Sequence, residues 1–172
     1  PQRLKKIFAE HSSTKELDAV LISSISNIIY LTNYSGFSKE EREAYLFITK
    51  DRQYVLTDGR YATAVKTLIP DFKLIEISHK LSFEKALKKL AKKHNVKRLG
   101  FEGHNISFLE HKRLLSCFND LNHFSLSNLR AIKNEAEIAA IEKACELGDK
   151  TFEYILKKIR LGISEKEVAS EI

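Results

Sequence analysis

Two short β-rich runs separated by only three polar residues constrain the fold of this chain most. The runs are AYLFIT, residues 44–49, and QYVLTD, residues 53–58, and the linker is Lys50, Asp51 and Arg52. Two strands joined by so short a polar linker are typical of a tight hairpin. We therefore expect a sheet that contains at least one antiparallel pair.

The remainder of the first 128 residues alternates between strand-length apolar runs and helical patterns. Further strands are expected in four runs: DAVLIS, FKLIEI, VKRLGFE and HFSLS. Helices are expected near Leu4, within SNIIYLT, after Gly59 as far as Pro70, in a lysine-rich segment near residue 88, and after a capping box formed by Ser107 and Glu110. The last of these helices carries Phe108, His111, Leu115 and Phe118. This alternation predicts an α/β fold with a mixed β-sheet flanked by helices over residues 1–128.

Residues 129–172 form a helical C-terminal extension with a different pattern. Asn134 and Glu137 stand three residues apart, as a helix N-cap and its partner should. A single apolar stripe follows, in which residues recur every three or four positions: Ile138, Ile141, Cys145, Gly148, Phe152, Ile155 and Ile159. Gly162 is placed to end this helix, and Ser164 begins another. Helices in proteins depend mainly on tertiary packing, so the stripe needs a partner, and part of it could pack on the α/β domain or on another copy of the chain. The simpler interpretation is that its partner lies beyond residue 172 and that the chain is a fragment.

The composition argues against a membrane-spanning, secreted or nucleic-acid-binding protein. The 172 residues carry a net charge of +6, and no apolar run approaches the ~18 residues of a membrane span. The N-terminus has no apolar segment of a secretory signal, and Cys117 and Cys145 fit free thiols, so we expect a cytoplasmic protein. Much of the positive charge lies on one helix face: Lys85, Lys88, Lys89, Lys92 and Lys93. No aromatic residues interleave these lysines, which favours a solvated face over phosphate binding, so neither nucleic acid nor membrane is an expected partner.

Four motifs occur in a fixed order along nearly the whole chain. They are LDAVLISSISNIIYLTNYSGF, YVLTDGRYATAV, LGFEG, and an R-x-I-K-N-E-x-E-I-x-x-I-x-x-A segment followed by GISEKEVA. Together they resemble the creatinase/Xaa-Pro peptidase family, which includes prolidases and aminopeptidases P. The resemblance implies a bilobal enzyme whose N-terminal α/β domain corresponds to residues 1–128. Residues 129–172 would then be the truncated start of the "pita-bread" catalytic domain.

The resemblance also implies the chemistry of the full-length enzyme, which cleaves proline-containing peptides before the proline. In this family, two divalent metals, often manganese, are held by two Asp, one His and two Glu of the catalytic domain. After Arg130 this sequence has one aspartate, Asp149, and no histidine. We therefore expect no catalytic residue, metal ligand or cofactor in this chain, and no activity from it alone. The domain is expected to shape the substrate cleft and to contribute to a homodimer.

The resemblance points to four substrate-proximal candidates. Arg60, in the DGRY motif, can approach the active site in aminopeptidases, where its guanidinium could engage a substrate carboxylate or carbonyl. The alternative for Arg60 is a structural ion pair within a strand-to-helix turn capped by Asp58. Tyr34, Phe37 and Arg42 lie on a loop that can border the cleft in this family, and the alternative is a surface loop with a buried aromatic residue.

Two alternatives remain in view. Glu102, His104 and His111 could suggest a metal site, but no recognised ligand spacing connects them, so we do not favour one. The same bilobal fold also occurs in metal-free binding modules, including histone-chaperone subunits, and the residues that separate these from enzymes lie outside this chain. The sequence does not separate aminopeptidase from dipeptidase.

Overall fold

A computed structural model of the chain describes residues 2–9 and 17–172. Within this part, six strands form one sheet. They are β1 (Ala19–Ile22), β2 (Ala44–Thr49), β3 (Gln53–Asp58), β4 (Lys73–Ile77), β5 (Arg98–Phe101) and β6 (Asp120–His123). Their order across the sheet is β4-β3-β2-β1-β5-β6. The chain thus moves outward from β1 to one edge of the sheet, and then crosses back to build the other edge.

The expected hairpin is present, and the sheet is mixed. β2 pairs antiparallel with β3, in a register that places Ala44 opposite Thr57, and it also pairs antiparallel with β1. The pairs β1–β5, β5–β6 and β3–β4 are parallel. β2 is therefore the one strand of this sheet that runs against the other five, and the prediction of a mixed α/β sheet is confirmed.

Helices cover both faces of the sheet. In the described residues they are α1 (Gln2–Ala9), α2 (Ile25–Thr32), α3 (Ala62–Leu68), α4 (Phe83–His94), α5 (Phe108–Leu115), α6 (Ser127–Ala131), α7 (Glu135–Leu156) and α8 (Glu165–Glu171). Side chains of α1, α2, α3 and α6 belong to one core cluster, and side chains of α4 and α5 belong to the other. Alternate residues of each central strand enter opposite clusters, as in Val20 and Leu21 of β1.

The order of strands and helices agrees with the sequence pattern, with three differences before residue 130. One is α6, which begins at Ser127 within the predicted strand run HFSLS and was not predicted. The last strand is Asp120–His123, three residues earlier than the HFSLS run. This edge strand is polar and half-buried, so it lacks the apolar signal, whereas the buried Phe124 and Leu126 after it carry one. On α5 the expected apolar face is wrong in part: Phe108 and Leu115 are exposed, and the helix buries Leu114 instead.

The chain divides into two compact units, Pro1–Leu129 and Arg130–Ile172. In the second unit, the caps at Asn134 and Ser164 are confirmed as complete capping boxes. The long helix ends at Leu156, earlier than the expected stop at Gly162, because its last turn tightens into i→i+3 bonds such as that from Lys157 N to the Tyr154 carbonyl. Gly162 instead occupies the following turn with a φ of +87°.

Most of the apolar stripe of α7 is exposed, including Ile138 and Phe152 at 46% and 64%. The lysine face of α4 is exposed as well. Cys117 and Cys145 are free thiols, as expected. No helix in the part of the chain that the structure describes is long and apolar enough to cross a membrane.

Candidate functional site

The sequence candidates lie at one edge of the sheet. Because five strands are parallel, they all end at this edge, where the antiparallel β2 begins. We call it the carboxyl edge, meaning the residues that directly follow the parallel strands and those that directly precede β2. Arg42 stands two residues before β2, and Arg60 stands two residues after β3. In open α/β sheets, ligands bind at this kind of edge.

The position that an anionic ligand would take at the carboxyl edge is filled by the protein itself. Glu102 follows β5, and its side chain is fully buried. Its carboxylate accepts hydrogen bonds from the backbone N–H groups of Ser23, at 2.6 Å, and Ser24, at 2.7 Å, and from the Asn27 amide. These donors form the N-terminus of α2, where a helix attracts negative charge. The Ser24 side chain makes no cap of its own, so Glu102 caps this helix from a distant strand.

This arrangement explains the LGFEG motif without a metal. Glu102 points to the start of α2, whereas the ring of His104 stands beside that of His123, and that of His111 beside that of Phe101. In residues 2–9 and 17–172, no group of three or more His, Cys, Asp or Glu side chains could hold a metal ion. The residues described here therefore do not fit the metal pair of the peptidase family.

Arg42 joins the segments after β1 and β5 to helix α5 at the carboxyl edge. Its Nε donates to Glu110 of α5 at 3.0 Å, and Nη1 donates to the Asn105 side chain at 2.7 Å and to the carbonyl of Ser23. Nη2 donates to the Asn105 carbonyl. Four of the five guanidinium N–H donors are thus used within the protein. The hydroxyl of Tyr45 also donates to Glu110, and burial together with this bond raises the pKa of Tyr45.

Glu43, the next residue, faces a different set of partners. Its side chain is only 5% exposed. It accepts from the backbone N–H of Ser38 at 2.5 Å and from the Tyr61 hydroxyl, and it lies 3.5 Å from Arg60 Nη2. The hydrogen bond from Tyr61, then that from Ser38, lowers the pKa of Glu43, and the same bond raises the pKa of Tyr61 to about 12. Sequence reasoning missed Glu43 because KEERE has the composition of an ordinary charged loop.

Arg60 is held on one side only. Its Nε and Nη2 donate to Asp58, at 2.8 Å for the Nη2 bond, and Nη2 also faces Glu43. Asp58 in turn accepts from the Arg60 backbone N–H and so caps the short 3-10 turn Gly59–Tyr61. The bond to Asp58 raises the pKa of Arg60 further above its ordinary value. The side chain is 65% exposed, and within the described residues no bond leaves from its Nη1.

Tyr34 and Phe37 form an aromatic cluster with Tyr61. The ring of Phe37 lies 4.9 Å from that of Tyr34, edge-on, and 4.9 Å from that of Tyr61. Phe37 is only 3% exposed, so it supports the loop from within the core. Gly36 is required here because a Cβ would lie 2.3 Å from the Tyr34 hydroxyl oxygen. Of the four candidates, the structure joins Tyr34 and Phe37 to Arg60 through Tyr61 and Glu43, while Arg42 faces α5.

A cleft of about 280 Å³ opens between the ends of β3 and β4 and the first turns of α4 and α5. Its apolar surface comes from Tyr45, Leu56, Ile77 and Phe83, and charged residues surround it: Arg42, Glu43, Asp58, Glu110 and Arg113. Every one of these charged groups already has an opposite charge nearby, such as Glu84 for Arg113 at 3.5 Å. The cleft therefore has an apolar surface, and its charged side chains form ion pairs within the protein.

Comparison with known proteins identifies relatives of the whole chain. The family model of the Creatinase/Prolidase N-terminal domain matches residues 2–135. The uncharacterized peptidase YqhT of Bacillus subtilis is 28% identical over 175 residues, covering 99% of this chain and 46% of that protein. These matches confirm the family resemblance of the sequence motifs.

Solved structures agree with this assignment. An Xaa-Pro dipeptidase from Bacillus anthracis superposes with a TM-score of 0.81 and 25% identity, covering 99% of this chain and 46% of that chain. An X-Pro aminopeptidase from Thermotoga maritima gives a TM-score of 0.75 and 26% identity, covering 90% and 45%. The chain thus spans about half the length of each of these three proteins.

Proposed function

This chain belongs to the creatinase/prolidase N-terminal domain family, and on that premise we propose that it is the N-terminal part of a peptidase that hydrolyses the bond preceding proline. The observation that carries the proposal is the match of residues 2–135 to the domain family, in a chain whose structural relatives include an Xaa-Pro dipeptidase and an X-Pro aminopeptidase. The enzyme would be a hydrolase of the cytoplasm.

We assign the catalytic machinery to the part of the enzyme outside this chain. Residues 130–172 are proposed to begin the catalytic domain, whose remaining length carries the ligands of two divalent metals, manganese being the metal we expect. When bound, such metals would supply Lewis-acid chemistry, lowering the pKa of a water molecule and polarising the scissile carbonyl. The contribution of the present residues is non-catalytic, and the chain alone is expected to be inactive.

The domain is proposed to act on the substrate through the carboxyl edge. Arg60 is the best placed of the four candidates because its Nη1 has free donors and its side chain is largely exposed. A guanidinium with two open N–H donors can bind a peptide carboxylate or carbonyl. Tyr34 would border the same surface. The buried Phe37 and Arg42, which has four of its five donors in use, would act indirectly by holding the loop between them in place.

Cleft shaping and dimerisation complete the proposal. An N-terminal domain beside the active site would limit the length of the peptide that fits. It would thereby determine whether the enzyme is a dipeptidase or an aminopeptidase. The homodimer is expected from the family resemblance, and sedimentation of the full-length protein checks it.

Hydrolysis by the full-length protein tests the proposal. Xaa-Pro dipeptides and Xaa-Pro-Yaa tripeptides are incubated with added Mn²⁺ and either the full-length protein or this 172-residue chain. Cleavage by the full-length protein alone is the expected result, and the preferred peptide length then names the subclass. Cleavage by neither would favour a metal-free binding module, and cleavage by the chain itself would contradict the location assigned to the metal ligands.

A further inference from the structure

Glu43 connects the loop before β2 with residues 57–61, at the end of β3 and in the turn after it. Its carboxylate holds the backbone of Ser38, the hydroxyl of Tyr61 and the guanidinium of Arg60. Its own carbonyl accepts a bond from Thr57 Oγ1 at 2.7 Å, which ties it to the end of β3. A carboxylate that is nearly buried and has this many partners differs from the exposed glutamates beside it, Glu40 and Glu41.

We infer that Glu43 is a positioning residue, which fixes the Arg60 guanidinium so that its Nη1 edge faces the peptide substrate. This inference rests on the proposed function. Asp58 binds Nε and Nη2, and Glu43 lies 3.5 Å from Nη2. Two carboxylates on the same edge of a planar guanidinium define its plane and leave the opposite edge free.

The surroundings of Glu43 give it the rigidity that positioning needs. Arg42, adjacent in the chain, is bonded to Ser23, Asn105 and Glu110, so the backbone before β2 is anchored on the opposite side. On the Glu43 side, the bond from Ser38 holds the segment that directly follows the buried Phe37. A recognition group held within a few tenths of an ångström depends on such support from residues that do not touch the ligand.

Kinetics of the full-length enzyme separate positioning from a merely structural role. Glu43→Gln keeps the size of the side chain but removes the charge that faces Arg60. We expect KM for Xaa-Pro peptides to rise about tenfold with kcat nearly unchanged, because a lost uniform binding interaction appears in KM. Arg60→Gln is expected to raise KM similarly, and the double variant to be no worse than Arg60→Gln alone.

Two comparisons make this experiment decisive. Glu40→Gln, on an exposed residue of the same loop, is the matched control and should leave KM unchanged. Glu43→Asp retains the charge and should recover part of the loss. Additive effects of Glu43→Gln and Arg60→Gln, or a fall in kcat without a change in KM, would overturn the inference.

A second readout does not depend on peptidase activity. In the 172-residue chain, ¹³C NMR of the tyrosine Cζ atoms follows each hydroxyl, with Tyr61→Phe to assign the signal. The hydrogen bond to Glu43 raises the pKa of Tyr61 to about 12, and Glu43→Gln should lower it toward the ordinary value of about 10. An unchanged pKa would overturn the inference even if the enzyme cleaves Xaa-Pro peptides. A lowered pKa in a protein without that activity would reject the proposed function and leave the contact between Glu43 and Tyr61 established.

Discussion

The two ends of the β1–β5 strand pair are built in the same way but differ in burial. At the amino end, Asp18 precedes β1 and accepts from the backbone N–H groups of Lys97 and Arg98 at the start of β5, at 2.9 and 2.8 Å. At the carboxyl end, Glu102 follows β5 and accepts from two backbone N–H groups after β1, at 2.6 and 2.7 Å. Each strand is thus flanked by a carboxylate that binds the backbone of the other.

The burial of each carboxylate determines how much it contributes to the free energy of unfolding. Asp18 is 30% exposed, and Arg98 lies 3.6 Å away as an opposite charge, so water and salt screen its interactions. Glu102 and Ser23 have no exposed surface, so without this carboxylate the Ser23 N–H would have no water to bind instead. The bonds of Glu102 at the carboxyl end should therefore contribute strongly to the free energy of unfolding. Those of Asp18 at the amino end should contribute only modestly and in a pH-dependent way.

The largest expected effect is that of Glu102→Ala. It removes the acceptor of the Ser23 and Ser24 N–H groups and of the Asn27 amide at once, and leaves the buried N–H of Ser23 without an acceptor. We expect the free energy of unfolding to fall by about 4 kcal/mol. Urea unfolding followed by near-UV circular dichroism measures this in the first unit, because Tyr154 is the only tyrosine after residue 129.

Glu102→Gln supplies the matched control for that variant. The amide keeps one acceptor oxygen at nearly the same volume, so the loss should be roughly half as large. If the alanine and glutamine variants were as stable as the native chain, the bonds at the carboxyl end would carry no net energy and the comparison between the two ends would fail.

The sequence predicted the architecture well because the architecture follows from local patterns. The hairpin between β2 and β3, the alternation of strands with helices, and the caps at Ser107, Asn134 and Ser164 each depend on residues within a few positions of each other. β6 was misplaced for the same reason. Its half-buried polar residues give no local signal, and the pairing with β5 that makes them a strand is non-local.

The site was less predictable because its contacts join distant residues. Glu102 is 79 positions from Ser23, and Arg42 is 63 positions from Asn105. The family resemblance indicates both Arg60 and Arg42, and only the structure separates the guanidinium with a free Nη1 from the one that uses four of its five donors within the protein. Glu43 could have been found by one signal, an acidic residue directly before a strand start, but that signal is common in charged loops.

Gly100→Ala probes the centre of the same strand pair. A Cβ on Gly100 would lie 2.7 Å from the Leu17 side chain and 3.1 Å from those of Phe124 and Val20. The side chains of Leu17 and Phe124 would have to shift, which typically costs about 2 kcal/mol. The same urea unfolding measurement checks this, and a loss close to zero would show that these side chains move aside easily.

Gly148→Ala makes the same substitution where nothing opposes it. Gly148 lies inside α7, and a Cβ there would meet no atom within 4 Å. Alanine should therefore stabilise the helix by about 0.5–1 kcal/mol, since glycine is a poor helix former. Hydrogen-exchange protection of the α7 amides reports the change. Slower exchange in α7, together with a lower free energy of unfolding for Gly100→Ala, would show that the effect of a glycine-to-alanine substitution depends on packing. At Gly100 packing would then outweigh the gain in backbone entropy.

Asp18→Asn is expected to have the smallest effect and a distinctive dependence on pH. Burial raises the pKa of Asp18, but the backbone bonds from Arg98 and Lys97 and the charge of Arg98 together lower it below 3.8. A carboxyl whose folded pKa is lowered contributes stability above its unfolded pKa, and loses that contribution as the pH falls through the folded value.

At neutral pH we expect Asp18→Asn to cost below about 1 kcal/mol, because the carboxylate is partly exposed. The difference between native chain and variant should shrink below about pH 4 in urea unfolding. A difference that stays constant down to about pH 2 would mean that the charge of Asp18 contributes nothing, and that the amino end is held by the shape of the side chain alone.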